Sequence, residues 1–262
     1  MKKTALITSA SLLIAASMPA LAGTPVPAPL TPPPAEPFVT GFLSLAYETH
    51  FISYGSDVWG GGNSWNDSLF HPTLEIDFNL GNGWQAYLNT WFDVNDLAAT
   101  PSDIGGNVQE VDVNVGIYKT IDKWKFQFGY GAWMYASDVE HILDFKVSYN
   151  DGMWNPFLML HGRLDDFPYD SGLVAQVGIA PSQTFGKVTV TAPITVSFDT
   201  DGFHGGDAGF AYASGGLAAA IPLCKHTTLN LSAIYYHTND DVIPFNVDDD
   251  FVLGSAGITI SW

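Results

Sequence analysis

Apolar and polar residues alternate one by one along segment after segment of this 262-residue chain. From 70 to 80 the even positions are almost all large and apolar, whereas the odd positions include His71, Glu75 and Asp77. The same alternation returns at 111–118 and at 124–135. Because successive side chains of a strand point to opposite faces, each segment predicts a strand with one apolar and one polar face. A long series of such strands is typical of a barrel that turns its apolar face to lipid and its polar face to water.

The breaks between these segments alternate in length. Short turns such as Gly81-Asn82-Gly83 and Cys224-Lys225-His226 carry residues that suit tight turns. Longer stretches rich in Gly and Asp, such as 53–68, 96–109, 200–207 and 238–249, follow the other segments. Short turns on one side and long loops on the other are typical of periplasmic turns and extracellular loops. The pattern predicts an all-β fold over residues 38–262, a transmembrane antiparallel up-and-down β-barrel of about 12 strands, with about 10 or 14 strands as alternatives.

Two prolines disturb this assignment. Pro156 and Pro193 fall inside predicted strands, although proline has no N–H group to donate to a neighbouring strand. They indicate either bulges or strand boundaries that lie elsewhere.

The start of the chain has the pattern of a secretion signal. Lys2 and Lys3 precede an apolar run over 5–18, and Ala20-Leu21-Ala22 then forms an A-x-A cleavage site. The run is shorter than a membrane-spanning helix requires. We therefore expect a signal peptide at 1–22 and a Pro-rich periplasmic leader at 23–37, ahead of the barrel.

Composition points to the same compartment. Charged residues make up only 14 % of the chain, and its formal net charge is -18. A chain so acidic lacks the basic contacts that a phosphate backbone needs, which excludes nucleic acid as an expected partner. We expect the protein in the bacterial outer membrane, with outer-membrane lipid and lipopolysaccharide as its surroundings.

Tryptophans recur at one predicted depth of the barrel. Trp84, Trp124 and Trp154 each begin a predicted strand after a short turn, and Trp262 ends the last strand. All four face outward in the alternation and predict an aromatic girdle at the periplasmic interface of the membrane. The candidates for the outer girdle are Tyr47, Phe51, Phe92 and Tyr235.

The polar faces of the strands predict the lining of the lumen. The side chains expected to line a channel are Glu48, His50, His71, Glu75, Asp77, Trp91, Asp93, Asp112, Asn114, Trp133, Asp144, Lys146 and Arg163. Carboxylates would favour cations, and aromatic faces with polar neighbours would suit sugars or nucleosides. Lys146 and Arg163 are expected to pair with Asp144, Glu75 or Asp165, because an unpaired ion in a constricted site is costly.

Three functions fit this lining. The first is a monomeric channel for passive diffusion of small neutral or cationic solutes. The second is a plugged barrel whose acidic extracellular loops act as a structural or adhesive surface. The third is an outer-membrane lipid hydrolase, for which His141 near Ser137 is the candidate pair. No Gly-x-Ser-x-Gly motif occurs, so we expect no enzyme.

The sequence contains little evidence of a cofactor site or a metal site. The acidic run Asp199-Thr200-Asp201-Gly202 offers hard oxygen ligands for calcium, as do 248–250, but neither has the spacing of an EF-hand loop. We expect no cofactor and no specific metal site. Cys224 is the single cysteine, so no internal disulfide is expected.

Two parts of the chain resemble known outer-membrane barrels. The alternating strand from Gly254 to the terminal Trp262 resembles the end of bacterial barrel proteins, which implies recognition by the barrel-assembly machinery through this last strand. The region 43–95 resembles an uncharacterised family of bacterial outer-membrane β-barrels labelled conserved hypothetical proteins. That likeness rests on Tyr47, Phe51-Ile52-Ser53-Tyr54-Gly55, Pro72, Gly83-Trp84 and Trp91. It implies a barrel in a membrane and names no substrate.

Overall fold

The computed structural model describes residues 37–60, 65, 69–98, 104–135, 138–166 and 169–262. The expected signal peptide and nearly all of the expected leader lie outside these residues. Within them the barrel strands are β1 (Val39–Glu48), β2 (Leu69–Gly81), β3 (Trp84–Val94), β4 (Val108–Ile121), β5 (Trp124–Met134), β6 (Val139–Tyr149), β7 (Phe157–Arg163), β8 (Gly172–Ile179 and Ser182–Phe185), β9 (Val188–Thr191 and Ile194–Asp199), β10 (Gly209–Cys224), β11 (Thr227–Thr238) and β12 (Asp250–Ser261).

The strands form one closed antiparallel sheet. Each strand pairs with the next along the chain, and β12 returns to pair with β1, placing Leu43 opposite Ile260 and Tyr47 opposite Ala256. Closure leaves no row of unpaired N–H and C=O groups, which a bilayer would not tolerate. The predicted all-β barrel and its expected number of strands are confirmed.

Burial in this barrel is inverted relative to a water-soluble protein. Phe128 and Leu217 on the outer face are 49 % and 61 % exposed, whereas Asp93 and Glu140 inside are 0 % and 1 % exposed. Exposed apolar side chains all around a barrel are unfavourable in water and favourable against acyl chains. The chain is therefore an outer-membrane β-barrel protein. Within the described residues, no helix combines the length and the apolar character needed to cross a bilayer.

The short turns follow from their residues. Asn82 and Gly83 both have positive φ, at 52° and 76°, and they join β2 to β3. An Asn-Gly pair with this backbone twists in the same sense as the strands it connects. The turn between β4 and β5 likewise places Asp122 at a φ of 52°.

Prolines interrupt two strands, and one of the two breaks is at a predicted position, Pro193. β9 breaks at Pro193, between Thr191 and Ile194, although the Pro193 carbonyl still accepts a hydrogen bond from Gly216 N at 3.2 Å. β8 breaks in the same way at Pro181. Pro156 lies before β7 rather than within it, so the predicted boundary of that strand was wrong.

The turn before β7 also corrects the prediction that Trp154 begins a strand. Residues 150–156 form a longer turn in which Asp151 Oδ1 accepts hydrogen bonds from the backbone N–H groups of Asn155, Met153 and Trp154, at 3.0, 2.8 and 2.7 Å. These bonds, led by that from Asn155, lower the pKa of the Asp151 carboxyl below its ordinary value of 3.8. The aspartate therefore fixes a turn where sequence alternation predicted a strand.

Candidate functional site

The barrel encloses a cavity of about 720 Å³. Its lining differs from one side to the other. We call the side formed by β10, β11, β12 and β1 the neutral arc, because its cavity-lining side chains are mostly small and uncharged: Ser44, Ala46, Ala218, Ala220, Asn230, Ser232, Ser255 and Gly257. We call the inward face of β2 to β7 the charged arc, because it carries Glu75, Asp77, Asp93, Glu110, Asp112, Lys125, Glu140, Asp144, Lys146 and Arg163.

The half of the charged arc near the short turns is filled by side chains. Asn89 Nδ2 donates to Glu75 Oε2 at 3.1 Å, and Tyr118 Oη donates to Asp77 Oδ1 at 3.2 Å. The Lys125 ammonium lies 3.6 Å from the centre of the Tyr118 ring. A cation on a ring face beside two carboxylates compensates buried charge of both signs.

Near the long loops, a second cluster joins β1, β2 and β3. His71 Nδ1 lies 2.7 Å from Glu48 Oε2, and His71 Nε2 lies 3.3 Å from Asp93 Oδ1. Asp93 also accepts hydrogen bonds from Asn95 Nδ2 at 2.8 Å and from Trp59 Nε1 at 2.7 Å. The first loop, which contains Trp59, is thus anchored to a carboxylate on the barrel wall.

Arg163 organises the opposite edge of the charged arc. Its Nε forms an ion pair with Glu140, and its Nη1 donates to Phe203 O at 2.5 Å. The guanidinium also lies 4.1 Å from the centre of the Phe203 ring.

The predicted partners of Arg163 were wrong, because Asp144 pairs instead with His161 at 2.7 Å and Asp165 accepts the His141 N–H at 2.8 Å. Glu140 is opposite Trp133 on β5 and lies close to Arg163 on β7, a relation that periodicity within one strand does not reveal.

Lys146 lies two residues from its predicted partner Asp144 on the same face of β6, and the two opposite charges attract each other. The Lys146 ammonium lies 5.0 Å from the centre of the Phe157 ring, on the wall of the cavity. A long side chain on a strand face reaches neighbours across the strand more readily than residues elsewhere on the barrel.

Between the His71 cluster and the Arg163–Glu140 ion pair, one carboxylate lies between two indoles. Asp112 on β4 is directly opposite Trp91 on β3 and Trp133 on β5, and all three line the cavity. Asp112 is 8 % exposed, and its Oδ1 has no hydrogen-bond partner among the described residues. The neighbouring amides are engaged, since Trp133 Nε1 donates to Asn114 Oδ1 and Asn114 Nδ2 donates to Asn89 Oδ1, both at 3.4 Å.

The first loop connects β1 to β2, and its described residues 51–55 line the cavity inside the barrel. Its residues Ile52–Ser53 and Ser56–Asp57 form a small hairpin, and the Tyr54 ring at its tip stacks on His161 with 3.8 Å between ring centres. Within the loop, His50 Nδ1 lies 3.0 Å from Asp57 Oδ2. The prediction that Phe51 belongs to an outer girdle is wrong, because its ring packs 4.8 Å from Trp91 inside the lumen. Alternation cannot place a residue that follows the end of its strand.

The sixth loop, 239–249, holds the first loop in place. Asn246 Oδ1 accepts a hydrogen bond from Asp57 N at 2.8 Å, and its Nδ2 donates to Gly55 O at 2.9 Å. Val242 and Ile243 of the same loop are buried against Ala211 and Tyr212. This role was not predicted, although Val242 and Ile243 form an adjacent apolar pair within a loop rich in aspartate.

The four predicted girdle tryptophans lie on the outside of the barrel. Trp84, Trp124, Trp154 and Trp262 are between 41 and 51 % exposed, at the end with the short turns. Lys119 extends its ammonium to 4.9 Å from the centre of the Trp84 ring. Of the outer candidates, Tyr47 and Tyr235 are also exposed on the wall, and Phe92 is partly buried.

The candidate pair for lipid hydrolysis is only partly within the described residues. His141 faces outward, and its Nδ1 lies 2.6 Å from the Tyr130 hydroxyl. Ser137 lies outside the described residues. In the described part of the chain, no cluster of three or more His, Cys, Asp or Glu side chains has the geometry to hold a metal ion.

Comparisons with known proteins identify a fold and no family. No family model matches the chain, and no curated protein is similar to it. The structure is similar to an outer-membrane channel from Pseudomonas putida F1, with 10 % identity, 89 % of this chain and 100 % of that chain covered, and a TM-score of 0.53. The KdgM porin is 10 % identical over 84 % of this chain and 99 % of its own, with a TM-score of 0.49. Outer-membrane phospholipase A from Escherichia coli is 12 % identical over 84 % and 89 %, with a TM-score of 0.44.

These likenesses carry different weight. The similarity to the Pseudomonas channel shows a shared barrel fold, while the other two structures are too distant to support an argument. The barrel implied by the sequence resemblance is confirmed, and membership of one particular family remains a prediction.

Proposed function

We propose that this barrel is an outer-membrane channel through which small neutral or cationic solutes diffuse. The observation that carries the proposal is the cavity of about 720 Å³ between the neutral and charged arcs. A volume of this size is in the usual range of small-molecule sites. The neutral arc provides room because Ala, Gly and Ser occupy its inward positions.

Charge sets the expected selectivity. Carboxylates on the charged arc outnumber the inward cations Lys125, Lys146 and Arg163. Cations entering the lumen would be attracted and anions repelled, most strongly where walls of low dielectric constant focus the field. Aromatic rings elsewhere at the cavity, such as Tyr212 and Tyr236, supply flat faces for sugar-like or nucleoside-like solutes.

Swelling of proteoliposomes tests this function. Liposomes containing the purified full chain are diluted into isotonic solutions of small monosaccharides and of a large oligosaccharide. We expect swelling with the monosaccharides and none with the oligosaccharide. Absence of swelling with every small solute would contradict the proposal.

The second candidate is a plugged barrel that presents its loops as a surface. It is favoured by the packing of the first and sixth loops in the mouth of the barrel, where Asn246 bonds to the backbone at Gly55 and Asp57. Fifth-loop residue Phe203 is buried there too, against Arg163. A barrel that stays impermeable after Asn246→Ala would support the plug over the channel.

A further inference from the structure

The row Trp91, Asp112 and Trp133 holds a cavity-lining carboxylate oxygen that contacts among the described residues leave unsatisfied, although both indoles also contact neighbouring rings. Paired residues of neighbouring strands place the Asp112 carboxylate between the two indole side chains on the inner wall. Oδ1 of this carboxylate is buried and has no hydrogen-bond partner among the described residues. A buried polar atom without a partner is costly, and it marks a place where a ligand restores the missing interaction.

A second carboxyl group lies at the same place. Glu110 lies on the same face of β4, two residues before Asp112, and also lines the cavity. Its side chain is hydrogen-bonded to Asp112, so one proton lies between the two carboxyl groups and the pair keeps one negative charge. That charge lies in a poorly solvated site, where a cation would compensate it.

The cationic side chains nearby are already used or too far away. Arg163 is paired with Glu140. His71, whose ring lies 4.8 Å from that of Trp91, is paired with Glu48 and Asp93. Lys146 is six residues along β6 from Glu140, the residue opposite Trp133, which corresponds to about 20 Å along the strand. These three groups therefore do not compensate Asp112 and Glu110.

Aromatic rings around these carboxylates indicate which kind of cation fits. Indole faces attract cations through their quadrupole, and this attraction is strongest for weakly hydrated organic cations in desolvated sites. Phe51 adds a third ring, 4.8 Å from that of Trp91. On the far side of the cavity, the neutral arc leaves space for bulky substituents on the cation.

The same surroundings disfavour a sugar at this position. A sugar needs several hydrogen-bonding groups, but the adjacent amides of Asn89 and Asn114 are bonded to Glu75, to each other and to Trp133. What remains available is a carboxylate oxygen between aromatic rings.

We propose that Trp91, Asp112 and Trp133 form a binding site for an organic monocation of the quaternary-ammonium class. This inference rests on the proposed channel function, because the solute must enter the lumen, and it narrows the solute class to cations. The carboxylates neutralise the ligand, the indoles contact its alkyl groups, and the first loop covers the site through Phe51.

Titration of the purified full chain with choline chloride tests the site. Binding is measured by calorimetry, with its neutral isostere 3,3-dimethylbutan-1-ol and with sodium chloride of equal ionic strength as comparisons. We expect saturable choline binding, no sodium signal and binding of the isostere weaker by about tenfold or more. Equal binding of choline and its isostere would overturn the site.

Variants of Asp112 and Trp133 test whether choline binds at this site. Asp112→Asn keeps the shape and removes the charge, and should weaken choline binding by about tenfold or more. The matched control is Asp207→Asn, which removes an exposed carboxylate from the fifth loop and should leave choline affinity unchanged. If Asp112→Asn does not fold, Trp133→Leu should weaken choline binding while leaving the barrel resistant to heat on gels. Unchanged choline affinity in the folded variant would overturn the proposal.

Conductance of the same preparations separates this inference from the channel function. Conductance in potassium chloride together with unsaturable choline uptake overturns the site and leaves the channel standing. Saturable choline binding sensitive to Asp112→Asn, without any conductance, supports the site and contradicts the channel.

Discussion

The neutral and charged arcs share one barrel wall but are held together in different ways. Inward residues of the neutral arc, such as Ala218 and Ser232, leave space, and the backbone pairing between strands supplies most of their order. Inward residues of the charged arc fill space with ion pairs, hydrogen bonds and ring contacts such as that between Lys125 and Tyr118. The contrast shows that a barrel of twelve strands can enclose a cavity when large side chains fill the lumen on one side only.

The loops follow the same division. Tyr54 of the first loop stacks on His161 of the charged arc, and Phe203 of the fifth loop lies on Arg163. The sixth loop instead packs against Ala211 and Tyr212 near the top of β10. The charged arc therefore anchors two of the loops, whereas the neutral arc borders the open part of the lumen.

The largest effect is expected from breaking the buried ion pair of the charged arc. Arg163→Met leaves the buried Glu140 without its cation and removes the contact with the Phe203 carbonyl. We expect the free energy of unfolding to fall by about 3 kcal/mol or more. Urea unfolding in lipid vesicles, followed by tryptophan fluorescence, measures the loss.

The matched change on the neutral arc is Ser255→Ala, which should cost less than about 1 kcal/mol. Equal losses for Arg163→Met and Ser255→Ala would show that the two arcs do not differ in how they are stabilised.

Filling the neutral arc should close the path. Ser232→Trp places an indole in the cavity, and we expect conductance to fall about tenfold. Leu231→Trp adds the same side chain on the outer face, where Leu231 is 41 % exposed, and should leave conductance unchanged. Single-channel recordings of the two variants compare inside with outside, and a loss of conductance in both would count against a path along this arc.

Removing carboxylates from the charged arc should alter the ratio of cation to anion permeability and leave the width of the lumen almost unchanged. The double variant Glu75→Gln with Asp77→Asn removes two buried carboxylates near the short turns. We expect the permeability ratio of potassium to chloride to fall about twofold, since nearby charges act at a moderate effective dielectric constant. Reversal potentials in a salt gradient report this ratio.

The exposed pair Asp240→Asn with Asp241→Asn, in the sixth loop, is the control for loop charge. A larger shift in the reversal potential from this pair would place the selectivity in the loops instead of the lumen.

The smallest effect is expected from the contact between loops. Asn246→Ala removes the bonds to Asp57 N and Gly55 O and should loosen the first loop. We expect a rise in mean conductance of about twofold or less and faster proteolysis within the first loop. Asp248→Ala, two residues away and exposed, should change neither quantity. Unchanged proteolysis in Asn246→Ala would mean that other contacts hold the loop.

Strands and faces could be predicted from the sequence because their signal is local. The alternation around Glu75 and Asp77 determines which side chains face inward, and the Asn82-Gly83 turn fixes the end of β2. The same reasoning placed Trp91, Asp112 and Trp133 on the inner face of their strands.

Contacts between distant segments could not be predicted. Tyr54 and His161 are 107 positions apart, and the hydrogen bond from Asp57 N to Asn246 joins residues 189 positions apart. No periodicity within one strand encodes such contacts, and Phe51 was misplaced for that reason. The turn before β7 is longer than predicted, and includes Trp154, because Asp151 organises it through its side chain rather than through alternation.

We infer that the space between the two arcs is a water-filled, cation-preferring path across the membrane. Reversal-potential measurement on the purified full chain in a planar bilayer, under a potassium chloride gradient, tests it most directly. We expect discrete conductance steps and a reversal potential on the side of potassium permeation. A bilayer that stays silent with both the native chain and Asn246→Ala, or a reversal potential on the side of chloride, would contradict it.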